Sequence, residues 1–338
     1  AISLTGDSTP ASATLVSTGD VELGGSISSS TVNITAGGSI AGTGLLSAAT
    51  LTLNAQSGIG LIETEAIQLA TQNLTAETNT GNIALQNRSD NDVTVQKLTT
   101  NAGSISLIQD IQTAENVASL TTQTVSAAAD VNQTADVNLT NRAGDIALEG
   151  TISSKNLTVE ASGGSVTDGE SGDLAISDGA SFAGTSITLG DNQENTTRFG
   201  TLTFRSTGDV EIRQDSAMSL TGISTAASAT LVSTGTTGSI TDTTESSITI
   251  GNLLELDAQS ISLVNSELDT GSIIFNSNGN VEIRQDSAMT LTGSSTAISL
   301  TGDSTPASAT LVSTGDVELG GSISSSTVNI TAGGSIAG

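Results

Sequence analysis

Carboxylates are the groups in this chain best able to do chemistry. Two close pairs, Asp90/Asp92 and Asp168/Glu170, have the composition that acid–base hydrolysis of glycosides uses. Two acidic turns, Ser89-Asp90-Asn91-Asp92 and Ser171-Gly172-Asp173, offer hard oxygen ligands of the kind that hold calcium weakly. Against catalysis, a nucleophilic triad needs a base, and the chain has no His and no Cys. Sugar clefts normally stack their substrate on aromatic rings, and there is no Trp or Tyr. Gly37-Gly38-Ser39-Ile40 and Gly163-Gly164-Ser165-Val166 begin like the calcium-binding nonapeptide and lack its second half. EF-hand loops are absent as well. The basic residues are scattered, and Arg213 and Arg284 recur within one duplicated E-I-R-Q-D string, where pairing with neighbouring acids is expected. The expected reading is solvated turn carboxylates and no enzyme. No catalytic, cofactor-binding or metal-ligating residue is assigned, and any calcium held by the acidic turns would be weak.

The elements that must carry these turns are strands. Apolar residues stand two apart along the whole chain, as in Val21/Leu23, Val32/Ile34, Leu51/Leu53, Ile83/Leu85, Ile105/Leu107, Val137/Leu139, Val210/Ile212 and Ile261/Leu263. Alternate side chains of a strand share a face, so this period marks β structure. A Gly followed by Asp, Asn or Ser and then Val or Ile recurs between the pairs, for example at Gly19, Gly38, Gly81, Gly103, Gly144, Gly164, Gly208, Gly238 and Gly315. Glycine supplies the positive φ of a tight corner, and the polar residue is expected to bond the next backbone amide. Successive copies often stand roughly one rung length apart, and a fixed short period signals a solenoid. We therefore expect an all-β, right-handed parallel β-helix (β-solenoid) with about 20 residues per rung.

Residues 1–42 and 297–338 are the same string. The sequence reads as a window, 1–338, of one continuous solenoid cut from a longer tandem array, with position 297 restarting what position 1 began (period 296). Roughly 14–15 rungs fit one unit, for about 65–72 Å of rise. STGDVEIRQDSAMSLTG (206–222) returns as SNGNVEIRQDSAMTLTG (277–293), and a nine-residue slip repeats LTGSSTAIS (291–299) as LTGDSTPAS (300–308). A reshaped coil is expected at that slip. Residues 110–136 and 190–200 read as decorated rungs or loops, and DNQENTTRFG (191–200) is the most polar excursion. Asn-x-Ser/Thr triplets at Asn33, Asn73, Asn87, Asn132, Asn138, Asn156 and Asn195 follow from composition and strand alternation.

Composition narrows the partners. With 8 basic and 35 acidic residues the net charge is −27, so a phosphate backbone is repelled and no nucleic acid is expected. No apolar run reaches the ~20 residues that span a bilayer, so no membrane insertion is expected from this stretch. Hydrophobic residues still make up 35%, too many for a disordered chain, and only four are Phe. The core must be thin and aliphatic. Expected partners are neighbouring repeats of the same chain, with lateral self-association into fibres.

The G-[DNS]-[VI]-x-[LI] unit, recurring rung after rung in a Ser/Thr/Asn/Gly-rich, Cys-free chain, resembles the central repeats of filamentous haemagglutinin-type exoproteins. These are the β-helical proteins of two-partner secretion systems and related adhesins of Gram-negative bacteria. The resemblance implies a right-handed parallel β-helix, export across the outer membrane, and a fibrous, non-catalytic role at the cell surface, extracellular in location. It transfers no site residues. The alternative is an adhesin module that contacts cells or glycans through the shaft, and a β-helical carbohydrate-active enzyme ranks third.

Overall fold

The computed structural model describes residues 1–62, 65–110, 118–127, 135–192, 194–265, 267–284, 290–295, 297–301, 308–313, 315–319 and 328–337. The fold is an all-β parallel solenoid, with no helix among the described residues. Two compact units divide the chain, Ala1–Asp178 and Gly179–Gly338. Of the expected loop at 110–136, positions 111–117 and 128–134 lie outside the described residues, and Asn132 and Pro306 lie outside them too.

In the first unit, one inward column runs Ile2, Val21, Ile40 and Ile59, each paired in parallel with the next at an even spacing. Val21, Ile40 and Ile59 are fully buried. The column then continues to Ile83, Ile105, Val137 and Leu157, at longer and unequal intervals along the chain. A second column stacks Ala13, Val32, Leu51 and Leu74. Period two thus becomes vertical stacks of aliphatic side chains about 4.8 Å apart, each rung covering the one before it. Register is kept across most of these steps and shifts at irregularities between Val95 and Lys97 and between Thr122 and Thr124.

The second unit has the same logic with larger side chains. Ile187, Val210, Ala229, Leu254, Ile273 and Leu291 follow one another in parallel register. All four phenylalanines lie in this unit and are buried. Phe182 pairs in register with Phe204, and its ring centroid lies 5.4 Å from that of Phe199. At the slip the coil shortens. The step from Val281 to its partner Ile298 uses less chain than the preceding step from Ile261 to Val281.

The turn motif departs from the sequence reading in two ways. The expected bond from Asp or Asn to the next amide of its own turn is replaced by a bond to the following rung. Asp20 Oδ1 accepts from the Ser39 amide at 2.8 Å and the Ser39 hydroxyl at 3.1 Å. Asp145 grips Ser165 in the same way, at 2.7 and 2.9 Å, and Asp316 grips Ser335 at 2.7 and 2.8 Å. Asn82 Oδ1 accepts from the Ser104 amide at 2.9 Å. The motif works in pairs: a Gly-Asp or Gly-Asn turn clamps the Gly-Ser turn stacked on it. Glycine's role also differs. Gly81 does take positive φ, +80°, but at Gly38 the need is space, since a Cβ there would strike the Asp20 carboxylate. Parallel stacking explains both findings, because it brings equivalent turns closer to each other than to their own flanks.

Candidate functional site

The paired carboxylates singled out by sequence do not share an environment. Asp168 is fully buried, whereas Glu170 is exposed. Asp92 is exposed and accepts from the Ser119 amide at 2.8 Å, another clamp between stacked turns. Ser89 makes the local turn bond, its hydroxyl accepting from the Asn91 amide at 3.2 Å. Among the described residues no three acidic side chains converge where they could hold a metal ion. The clamp carboxylates Asp20 and Asp316 have pKa values held below the ordinary Asp range, first by the hydrogen bond from the next rung's serine amide and then by that from its hydroxyl.

The sequence reading did not foresee a column of amides inside the coil. Asn87, Gln109 and Asn141 are fully buried and stacked in register. Asn87 Oδ1 accepts from the Thr71 amide at 2.9 Å, and its Nδ2 donates to Thr71 O at 3.0 Å and Gln109 Oε1 at 2.8 Å. Gln109 Nε2 donates to Ser89 O at 2.7 Å. Asn141 Nδ2 donates to Ala118 O at 2.8 Å and Asp145 O at 2.9 Å. These amides satisfy turn backbone that enters the core, where an unpaired carbonyl or N–H would be costly. Burial also removes Asn87 from the accessible Asn-x-Ser/Thr triplets.

The excursion at 191–200 and the duplicated E-I-R-Q-D string, noted separately in the sequence, meet in the second unit. Gln214, fully buried, donates through Nε2 to Phe199 O at 2.9 Å and Ala217 O at 2.7 Å. The Asp215 amide donates to Thr197 O at 2.9 Å, and Asp215 Oδ2 accepts from the Thr197 amide at 3.1 Å. Within the excursion the Asn195 amide donates to Asn192 O at 3.1 Å. Gly190, at φ +72°, starts the departure, and any Cβ there would strike the Arg213 carbonyl. Together these residues enclose a cup of about 170 Å³ lined by Asn192, Asn195, Thr197, Arg213, Asp215 and Thr234. The expected pairing of Arg213 with a neighbouring acid does not occur: the ion pairs among the described residues are Lys97–Glu77 at 2.7 Å and Arg142–Asp110 at 3.3 Å. A wider hollow of about 340 Å³ lies in the first unit beside Gln68 and Gln86.

Comparison with protein-family models finds no match, and neither curated proteins nor solved structures give one. The reading of function therefore rests on the geometry.

Proposed function

We propose that this chain is a structural repeat of a bacterial cell-surface fibre, a length of non-catalytic β-solenoid shaft of the filamentous haemagglutinin type. The observation that carries the reading is the behaviour of the duplicated block. Residues 297–301 pair directly with the strand Asn280–Arg284, Val281 with Ile298 and Ile283 with Leu300. The start of a second unit therefore grows from the end of the first in the same parallel register, without a linker. Both copies of the block then adopt one register: Ile2 on Val21 and Val21 on Ile40 in the first, Ile298 on Val317 and Val317 on Ile336 in the second. A unit with this property can be laid end to end, each junction burying its aliphatic column through its neighbour. Continuous stacking also leaves few free strand edges along the shaft, which limits unwanted sheet growth.

The high negative charge, −27, fits a shaft that stays soluble in water. Electron microscopy of the native material tests the proposal. Thin filaments with an axial repeat of about 65–72 Å are expected from the rung spacing. Compact particles, or filaments with no such repeat, overturn it.

A further inference from the structure

We propose that the cup at residues 190–215 binds a sugar ring that carries a single carboxylate. Three features of the cup point to that chemistry. The Arg213 side chain lines it and makes neither a hydrogen bond nor an ion pair with any described residue, although the chain holds 35 acidic residues against 8 basic ones. A guanidinium left unpaired in such surroundings is a fork ready for a carboxylate, which it takes through two parallel N–H donors. The remaining groups ask for hydroxyls. Asn192, Asn195 and Thr234 each carry donor and acceptor groups. Thr197 is 1% exposed, and its Oγ1 has no hydrogen-bond partner. Buried polar atoms in that condition are costly unless a ligand or water completes them.

Asp215 sets the upper limit on ligand charge. Its Oδ2 is taken by the Thr197 amide, and its negative charge beside the cup disfavours a dianionic phosphate or a second carboxylate. One carboxylate on a ring of neutral hydroxyls satisfies Arg213 and Asp215 at once. Arg284 stands in the second E-I-R-Q-D string, but in the rung before it only residues 264–266 separate the strands Ser260–Leu263 and Glu267–Ser277, so among the described residues no comparable excursion stands beside it. No aromatic ring lines the cup, so affinity per cup is expected to be weak. If units repeat along a shaft, as proposed above, identical cups would recur at fixed spacing and act through avidity.

Titration of the purified chain with sodium glucuronate tests the proposal, read by calorimetry or by saturation transfer to the ligand protons, with glucose and sodium acetate as comparators. Saturable binding of glucuronate at one site per chain is expected, at least about tenfold tighter than either comparator. Arg213→Gln is expected to weaken it by about tenfold or more, the loss of a charge-assisted pair. Because the Arg213 side chain holds no partner, thermal unfolding of this variant should match that of the unsubstituted chain. Arg284→Gln should bind glucuronate normally. Acetate binding as tightly as glucuronate overturns the sugar assignment, and glucose doing so overturns the carboxylate assignment. No saturable binding, equal binding by Arg213→Gln, or loss in Arg284→Gln overturns the site. None of these outcomes touches the shaft reading, which stands or falls on the filament repeat.

Discussion

The string at positions 1–42 occurs again at 297–338, and the two copies agree in register while differing in burial. Val32 and Val328 occupy equivalent positions, each stacked on an alanine, Ala13 or Ala309. Val32 is fully buried and Val328 is 41% exposed. Ile40 and Ile336 both stack on a valine, yet the first is fully buried and the second 55% exposed. In the first copy Leu51 covers Val32 and Ile59 covers Ile40; among the described residues no strand does this for Val328 or Ile336. The turn clamp does not share the difference, since Asp20–Ser39 and Asp316–Ser335 close alike. Register and clamp are thus decided between a rung and its predecessor. Burial takes a rung on each side, for Ile2, which Val21 follows and no described strand precedes, is only half-buried.

That contrast can be broken most directly with one substitution made twice. Ile40→Ala should cost about 2–5 kcal/mol, the range for emptying a fully packed aliphatic site. In a polypeptide of residues 1–338, Ile336→Ala should change stability by less than about 0.5 kcal/mol, as for an exposed surface position. Urea unfolding of the two variants, read by the loss of β-sheet circular dichroism, compares them. Equal midpoints would mean that the two copies have the same cover, and the division between register and burial would fail.

A smaller effect is expected where a rung is covered but its column is polar. Asn87 follows Leu69 in one inward column and precedes Gln109. Asn87→Ala leaves the Thr71 amide and carbonyl and Gln109 Oε1 without their partner, a loss of about 1–3 kcal/mol. Asn87→Leu restores apolar volume yet not the bonds, so it should recover only part of the loss. Full recovery by leucine, in the same unfolding experiment, would show that the ladder serves packing and not backbone satisfaction.

Most of the architecture was legible because period two and a recurrent turn are properties of single rungs. Ile83/Leu85 and Ile105/Leu107 announced their strands and their inward face. The parallel stacking of equivalent strands was legible too; what escaped was the polar contacts between rungs. Asp20 looked like the start of a local turn because sequence shows Val21 next to it; only stacking brings Ser39 nearer. The amide column left a readable trace: Ile83-x-Leu85-x-Asn87, Ile105-x-Leu107-x-Gln109, Val137-x-Leu139-x-Asn141 and Val210-x-Ile212-x-Gln214 all extend the inward period by one polar residue. Extending the alternation two positions further would have placed those amides in the core. The cup was half visible. The excursion and the repeated arginine both stood out, but 191–200 and 213–215 come together through the coil and not through any spacing.

The smallest expected effect tests the feature that the two copies share. The serine bonds hold the Asp20 and Asp316 carboxyls below their ordinary pKa. A depressed folded-state pKa means that the clamp's contribution is complete above the unfolded value of about 4. It is lost as pH falls through the lower, folded value. Asp20→Asn keeps an acceptor oxygen for the Ser39 amide while removing the charge, and Asp316→Asn does the same for Ser335. Each variant should melt slightly below the unsubstituted chain at neutral pH, and that gap should close on acidification below about pH 4. Because the clamp needs only the preceding rung, the closing should be alike for both variants, whatever their difference in cover. Thermal melts across that range read it. A gap that closes for Asp20→Asn and not for Asp316→Asn would tie the clamp to burial after all, and the separation of register from cover would have to be abandoned.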